Sequence, residues 1–560
     1  MRAVRNNSRT FASLVALLLA AGAANIAAAR DRDQRDEVKR EFTKNVAWRG
    51  GQRVCVNHSF GGITVRTHTA NEVRLRVDMR GSADNKNEAE QFIQQIEIQV
   101  EETAAGVCFR TKYPEQRERR RGNWSFSAEY DLTVPEQAAL DLRNSFGSIN
   151  VAGTKQPAVV VNSHGSVRFA DSAGSHRIEN VFGNIEVSNN TGDVEVSGGN
   201  GQVTVSQIRG HARVRNRFGR ITASDISQSL TLRNDNGNLT ISGIGGALTS
   251  VNSFGGAEIT DVAGLADVQN SNGRIIARNL RGGAKLRTSF GNIEATDVTG
   301  DATINSSNGR VLLRNVTGAG DVTASFGTVD AANVQKGIRV VSGNGSIVLV
   351  DIGGDANART TFGSIRASRV TGSLIAENSN GSISAADVKG SATVRTTFSG
   401  VTLETIGGKV DVDNQNGSVT ISGVAQRSGG ACNSIVARTS FSPIRVFLPD
   451  DAAYDLTART SFGRIRTDFA VTTSGNIGGS GVDSTSIQAK IGAGGCELRL
   501  TNANGGIEIR NMSGARSEVR DLNRSAESAS HSHSQSHTYS YSFSSSTRSD
   551  KKKNKKKDWI

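Results

Sequence analysis

A phenylalanine recurs at every 36th residue through the middle of the chain, and this fixed step constrains the fold more than any other feature. The series comprises Phe146, Phe182, Phe218, Phe254, Phe290, Phe326, Phe362 and Phe398, and all but the last are followed by Gly. Midway between them stand His164 and then a series of Asn-Gly pairs that begins at Asn200. A period without slippage is typical of stacked repeats. The structural unit is therefore 18 residues long.

Within each unit the apolar residues alternate with polar ones, as in Ile185-Glu186-Val187, which indicates strands and not helices. A second, weaker strand follows about nine residues later. We predict an all-β, single-stranded parallel β-helix, or β-solenoid, with 18-residue coils over residues 143–425. Right-handed winding is expected from the chirality of parallel connections. Antiparallel hairpins are the alternative, since Asn-Gly also forms hairpin turns, but a meander does not require every 18th residue to keep its character.

The Gly after each Phe or Asn indicates a tight corner, because Gly accepts positive φ and close backbone approach. The eight Phe residues are interpreted as wedges that fill the corners across two coils. A platform on which sugars stack is the functional alternative.

The first 29 residues have the features of an export signal. Arg2, Arg5 and Arg9 precede an apolar stretch that ends in Ala27-Ala28-Ala29. A signal anchor is the alternative. Residues 30–47 are expected to be a flexible segment, and the sequence after the signal contains no stretch that could span a membrane as a helix. We therefore expect an exported protein of the periplasm, the cell surface or the extracellular space.

The repeat is flanked by regions in which the period fails. Residues 48–142 are predicted to be a β-rich N-terminal cap, with a helix over Asn87 to Gln95, that protects the open coil edge. Residues 426–515 are expected to form irregular coils. Residues 516–560 are rich in Ser, His and Lys and are predicted to be disordered. Whether the lysines of this tail bind anionic polymers or lipid head groups, or only solubilise the chain, is left open.

Four cysteines lie in two pairs, one on each side of the repeat. Export permits disulfides, and proximity in the sequence favours Cys55 with Cys108 and Cys432 with Cys496. No spacing indicates a metal site, and no cofactor is expected.

The eighth position of the unit carries a column of Asp and Asn. Its members are Asp225, Asp261, Asn279, Asp297, Asn315, Asn333, Asp351 and Asp387, interrupted by Gly243 and Arg369. Such a column resembles a carboxylate ladder of the kind that could act on a sugar. Because Asn alternates with Asp, which a catalytic acid would not permit, turn capping is the favoured interpretation.

A column of arginines lies three residues before the Phe. It comprises Arg143, Arg215, Arg287, Arg359 and Arg395. These side chains are candidates for contacts to a linear polyanion such as an anionic polysaccharide. Self-neutralisation is the equal alternative, because Glu377 and Asp413 occupy the same column. The net charge of +13 does not indicate a specific nucleic-acid binder, since much of the excess lies in the signal and the tail.

The export signal, Ser59-Phe60-Gly61-Gly62-Ile63-Thr64-Val65, the helical run, Val134-Pro135 and the Phe-Gly or Asn-Gly strands together resemble the bacterial adhesin-like family called toastrack or DUF4097. The resemblance covers residues 45 to 510. It implies a β-solenoid of the bacterial envelope and supplies no catalytic residues. We expect a non-enzymatic surface or periplasmic protein that binds envelope or extracellular polymers or acts as a spacer. The alternatives are a carbohydrate-active β-helix enzyme and an envelope-stress component.

Overall fold

The computed structural model describes residues 37–83, 85–114, 125–473, 476–478 and 485–512. The predicted signal and the predicted tail lie outside these residues. The described chain is a parallel β-solenoid of about 16 turns, as the 18-residue period predicts. Two sheets face each other across an apolar interior, and each coil contributes one strand to each sheet.

The N-terminal region consists of seven strands and one helix. They are β1 (Val38–Ala47), β2 (Arg53–Asn57), β3 (Ile63–His68), β4 (Glu72–Ser82), α1 (Lys86–Gln95), β5 (Glu97–Thr103), β6 (Gly106–Lys112) and β7 (Ser125–Pro135). In the first sheet, β1, β4 and β7 pair antiparallel at the end of the stack. In the second sheet, β5 and β6 do the same. The helix predicted over Asn87 to Gln95 is present as α1, and antiparallel strands end the stack on this side.

The expectation of a flexible segment over residues 30–47 is wrong for Val38–Ala47. These residues form β1, which pairs with β4 along its whole length. The physical reason is that β4 would otherwise end the sheet with an unpaired edge. The outer edge is instead a strand that carries Lys39, Arg40 and Lys44, and charge of this kind discourages further pairing.

Strands of the regular solenoid alternate between the two sheets. Sheet 1 contains β9 (Ile149–Ala152), β11 (Val167–Ala173), β13 (Ile185–Thr191), β15 (Val203–Arg209), β17 (Ile221–Ile226), β19 (Leu239–Ile244), β21 (Ala257–Val262), β23 (Ile275–Leu280), β25 (Ile293–Val298), β27 (Val311–Val316), β29 (Val329–Val334), β31 (Ile347–Ile352), β33 (Ile365–Val370), β35 (Ile383–Val388), β37 (Val401–Ile406) and β39 (Val419–Val424). Sheet 2 contains β8 (Ala139–Phe146), β10 (Ala158–His164), β12 (His176–Phe182), β14 (Val194–Asn200), β16 (Ala212–Phe218), β18 (Leu230–Asn236), β20 (Leu248–Phe254), β22 (Ala266–Asn272), β24 (Ala284–Phe290), β26 (Ala302–Asn308), β28 (Gly320–Phe326), β30 (Ile338–Asn344), β32 (Ala356–Phe362), β34 (Leu374–Asn380), β36 (Ala392–Phe398) and β38 (Val410–Asn416).

Residues that are eighteen apart lie side by side in neighbouring parallel strands. Val160, for example, is in register with Leu142 on one side and Ile178 on the other, and all three are buried. The same register repeats from coil to coil, so the inward side chains form one continuous apolar core. Burial of this core is the main favourable contribution to stability.

The C-terminal coils are irregular. They contain β40 (Arg427–Ser428), β41 (Ala431–Cys432), β42 (Ile435–Phe441), β43 (Ile444–Leu448), β44 (Tyr454–Thr460), β45 (Ile465–Thr467), β46 (Val471–Thr473), β47 (Asn476–Gly478), β48 (Ser486–Ile491), β49 (Cys496–Asn504) and β50 (Ile507–Asn511). The last long strand, β49, inserts between β42 and β44, and β48 pairs antiparallel with the outer side of β44. Spatial order therefore departs from chain order at this end.

Disulfides join Cys55 to Cys108 and Cys432 to Cys496, with Cα atoms 4.5 and 5.1 Å apart. These are the pairs that proximity in the sequence favours. The first links β2 to β6 beside the N-terminal cap. The second ties the β40–β41 hairpin to the start of β49.

Candidate functional surfaces

The Phe-Gly and Asn-Gly corners line up along one edge of the solenoid, which we call the Phe edge. Phe218 is in register with Asn200 below and Asn236 above. The Gly that follows accounts for the close stacking: Gly237 has a φ of +142°, and a Cβ there would lie 2.1 Å from the carbonyl oxygen of Gly219. Gly accepts such a corner with the least strain, and Ser399 and Ser442 take the same position with φ of +96° and +81°.

The expectation that each Phe fills the corner as a wedge is wrong. Every Phe of the series is between 45% and 58% exposed, and Phe441 and Phe462 continue the exposed row. The corner is instead filled from within by a polar residue two positions earlier. Asn180, for example, is buried and donates its Nδ2–H to the carbonyl of Gly165 at 2.8 Å.

This buried polar column was not identified from the sequence. Asn216 and Asn378 make the equivalent bond to the preceding coil, and Thr288 and Thr360 replace the amide with a hydroxyl. The signal is visible in the sequence as Asn, Thr or Ser two residues before most of the Phe and Asn corners, with Gly198 and Ala324 as exceptions. It was obscured because alternation alone predicts an apolar residue at an inward position.

Aromatic rings stack along the first part of the Phe edge. The ring centroids of Phe146 and His164 are 4.7 Å apart, those of His164 and Phe182 are 4.9 Å apart, and each pair is within 15° of parallel. Phe60 continues the stack on the other side of Phe146, at 5.4 Å and 2°. The ring faces therefore point along the long axis of the solenoid.

The Asp/Asn column lies on sheet 1 at the opposite edge. Its residues have positive φ, for example +55° at Asp225 and +54° at Asn279, a conformation that Asn and Asp tolerate better than most residues. The side chains bond to each other along the column: Asn315 Nδ2 donates to Asp297 at 2.8 Å, and Asn333 Nδ2 donates to Asn315 at 2.9 Å. The residues of the column thus adopt a turn conformation, and their side chains bond to each other between coils. Capping of nearby backbone N–H groups stays a prediction.

A groove of about 670 Å³ follows this edge between Asn333 and Gly407. Its central pair is Asp351 and Arg369, joined by two hydrogen bonds of 2.5 and 2.9 Å. The hydrogen bond from Arg369 holds the pKa of Asp351 below its usual range. A carboxyl group held ionised in this way is unsuited to act as a general acid near neutral pH.

The five arginines predicted to form one row do lie in one row, on the outer face of sheet 2. Four of them are in exposed ion pairs: Arg143 with Asp141, Arg287 with Asp267, Arg359 with Glu377, and Arg395 with Asp411 and Asp413. Self-neutralisation therefore describes most of the row. Arg215 is the exception.

Arg215 belongs to an arginine cluster that the sequence analysis did not identify. Arg213, Arg215 and Arg217 alternate along β16 and point outward, and Arg233 of β18 is in register with Arg215. Among the described residues, no carboxylate lies within 4.0 Å of Arg213, Arg215 or Arg217. The nearest acidic positions, Glu195 and Asp235, are each 3.9 Å from another arginine, Arg177 and Arg233 respectively.

Two histidines are buried in the interior. Desolvation lowers the pKa of His58 and of His176 from 6.5 to about 4. His58 Nδ1 lies 2.9 Å from Thr111 Oγ1, and the His176 ring packs against Phe169 at 4.5 Å. In the described part of the chain, no three His, Cys, Asp or Glu side chains are grouped so that they could hold a metal ion. None of its helices has the length and apolarity needed to cross a membrane.

Comparison with known proteins adds little. A scan against protein families finds no match, and a search of curated proteins finds none either. Among solved structures, one match is a protein from Clostridium sporogenes named a "putative cell adhesion protein". It is 8% identical, covers 85% of this chain and 100% of its own, and superposes with a TM-score of 0.15. A score this low carries no argument about fold or function.

Proposed function

We propose that the protein is a non-enzymatic, adhesin-like component of the cell surface or envelope that holds an anionic polymer against the outer face of sheet 2. The observation that supports this is the arginine cluster of Arg213, Arg215, Arg217 and Arg233. Its four guanidinium groups lie on two adjacent strands of a rigid sheet. Among the described residues, Asp235 is 3.9 Å from Arg233, and Glu195, in register with Arg213, is 3.9 Å from Arg177.

The chemistry of this cluster favours carboxylate, sulfate or phosphate groups that repeat along a chain. Guanidinium groups bind such anions through paired hydrogen bonds. Successive outward side chains on a strand are about 6.6 Å apart, and neighbouring strands are about 4.8 Å apart. Several anionic groups of one polymer can therefore be bound together, and the fixed backbone lowers the entropic cost of binding.

Binding to polygalacturonate, with uncharged dextran as the neutral comparison, tests this proposal. We expect the triple variant Arg213→Gln, Arg215→Gln, Arg217→Gln to bind polygalacturonate at least ten-fold more weakly and with a shallower dependence on salt. The matched control is Arg287→Gln, Arg359→Gln, Arg395→Gln, which removes the same charge from arginines that are already paired. Equal losses in the two triple variants would contradict a specific role for the cluster.

Two further arms separate the cluster from other sources of binding. A chain that ends at Asn511 lacks the lysines near the C-terminus, so its binding reports the solenoid alone. Vesicles that contain phosphatidylglycerol test whether a lipid head group, rather than a polysaccharide, is the anion that the cluster prefers. Retention of binding only when the lysines are present would overturn the proposal.

A carbohydrate-active enzyme is the alternative function, and the groove at the Asp/Asn column is where it would be tested. The polysaccharide recovered after long incubation should keep its chain length. Shortening that disappears in the variant Asp387→Asn would show catalysis and overturn the non-enzymatic proposal.

A further inference from the structure

At one place on the Phe edge, a flat ring of the chain itself lies between two of the phenylalanines. The ring of His164 lies between the rings of Phe146 and Phe182, nearly parallel to both, at 4.7 and 4.9 Å. These distances are within the range of favourable aromatic pairs. A flat ring can therefore be held between phenylalanines that are two coils apart.

Beyond Phe182 the intervening residue is Asn, whose side chain is shorter than that of His or Phe. The amides of Asn272 and Asn308 donate to the backbone carbonyls of Ser253 and Ser289, at 3.4 and 3.3 Å, and so lie against the strands. Each pair of successive phenylalanines thus encloses a slot with an Asn at its base. By strand spacing, the slots recur about every 10 Å.

The slots continue into the irregular coils. Asn416 is in register with Phe398 on one side and Phe441 on the other, and Phe441 is in register with Asn504. Phe462 follows, with its N–H bonded to the carbonyl of Ala503 at 2.8 Å. The alternation of Phe and Asn is therefore kept in space where the 36-residue period is lost.

We propose that two copies of this chain pair along the Phe edge, with the phenylalanines of each copy inserted into the slots of the other. A second copy has the same spacing by construction, so the fit does not drift along the solenoid. Each inserted Phe would stack between two rings as His164 does. This inference concerns a different surface from the arginine cluster and does not depend on polymer binding there.

The apolar area is sufficient for a stable pair. Ten phenylalanines of the edge are about half exposed or more. At about 100 Å² each, half of a typical aromatic side chain, they contribute roughly 1,000 Å² per copy. A standard interface buries about 800 Å² per partner. Exposed apolar rows of this extent usually mark an interaction site.

The residues on both sides of the Phe edge allow two identical edges to approach each other. From Ser253 to Thr397, the residue before each Phe or Asn is Ser, Thr or Gly. On the other side of the edge, at the position two residues after each Phe or Asn in these coils, only Arg274 and Arg310 are charged. Two identical edges can therefore approach with little electrostatic repulsion, whereas a polyanion would find few cations there.

A sugar chain fits the edge less well. The rings of an extended glycan lie along the direction of its chain, while the slots between Phe rings open across the axis of the solenoid. A glycan that follows the edge would meet ring edges and not ring faces. Binding of a neutral glycan is accordingly an outcome that would count against pairing.

The test is sedimentation velocity of the full chain over a range of concentrations, without reductant. We expect a concentration-dependent dimer. The variant Phe290→Asn, Phe326→Asn, Phe362→Asn should weaken dimerisation at least ten-fold and remain folded, because Asn is the residue that the chain itself places at the alternate coils. The control is Ile375→Asn, which removes an exposed apolar side chain from the face of sheet 2 and should leave the dimer unchanged.

A second variant keeps every phenylalanine and fills the slots. Asn272→His, Asn308→His, Asn344→His reproduces the arrangement at His164, and we expect it to weaken dimerisation to a similar extent. Three outcomes would overturn the inference. They are a wild-type chain that stays monomeric at 100 μM, where about micromolar affinity is expected of a standard interface, a slot-filled variant that dimerises normally, and Phe-dependent binding of cello-oligosaccharides by a monomer. Polygalacturonate binding, measured on the same variants, should not change.

Discussion

Phe441 lies in register with Asn504, although the chain forms six strands, β43 to β48, between the two strands that carry them. The C-terminal coils thus preserve the alternation of Phe and Asn by inserting β49 between β42 and β44. Because the corner residues stay aligned where the 36-residue period fails, the row of exposed phenylalanines continues beyond the regular repeat. An unbroken edge of this kind is what pairing between two copies requires.

Close stacking at the corners predicts a strong position dependence for Gly→Ala substitution. At Gly237, Ala would bring its Cβ to 2.1 Å from the carbonyl of Gly219 at a φ of +142°. We expect a loss of about 1–3 kcal/mol or more in the free energy of unfolding. Gly256→Ala is the control, since its Cβ would find nothing nearer than 3.6 Å. Thermal unfolding of both variants measures the difference, and similar melting temperatures would contradict the stacked geometry.

The buried polar column predicts that hydrogen bonding matters more than apolarity two residues before the corner. Asn180→Val leaves the carbonyl of Gly165 without its 2.8 Å partner and should cost about 1–3 kcal/mol of unfolding free energy. Asn180→Thr should cost less, because Thr360 makes the same bond to Gly345 at 3.0 Å. Denaturant unfolding distinguishes the two. A Val variant as stable as the Thr variant would show that the bond contributes little.

Much of the fold could be predicted because stacking imposes its period directly on the sequence. Ile185, Val203 and Ile221 occupy equivalent positions in successive coils, and all are buried in register. The ends could not be predicted in the same detail, because β1 and β49 pair with strands distant in the chain and carry no periodic signal.

The surfaces were harder to predict than the core. Three residues before Phe218, Arg215 looks like Arg287, yet Arg287 lies 3.4 Å from Asp267 and Arg215 has no acidic partner within ion-pairing distance in the described residues. The difference between the two arginines depends on whether a neighbouring coil places a carboxylate beside the guanidinium group. The exposure of the corner Phe was likewise hidden, because alternation alone predicts an apolar residue at the inward position where Asn and Thr side chains fill the corner.

Stability should fall in mild acid because two histidines are buried in neutral form. Their pKa is about 4 in the folded chain and 6.5 when unfolded, so the unfolded state binds more protons between these values. The contribution is complete above about pH 6.5, decreases as the pH falls towards 4, and amounts to about 3 kcal/mol per histidine. The variant His176→Val should reduce this pH dependence because Val does not titrate. Val should also fit at this position, since Val194 occupies the equivalent position in the next coil. Melting temperatures between pH 4 and 7 provide the measurement, and an unchanged slope in the variant would contradict the assignment.

The C-terminal disulfide should stabilise its own end of the solenoid. Cys432→Ala with Cys496→Ala opens a link across 64 residues and is expected to cost about 2–5 kcal/mol locally. Because each coil contacts only its neighbours, hydrogen exchange should accelerate in β42 to β49 and remain slow in the central coils. Faster exchange throughout the chain would argue against this local coupling.

Deletion of a whole number of coils is the decisive test of the stacked fold. Removal of Phe326 to Thr361, which is 36 residues, should restore the register and the Phe/Asn alternation. The result we predict is a cooperatively unfolding solenoid that small-angle scattering shows to be about 10 Å shorter. Removal of Phe326 to Val334, which is nine residues, should misalign the strands and abolish cooperative unfolding. If the two deletions are tolerated equally, residues eighteen apart do not depend on one another, and the stacked solenoid described above is contradicted.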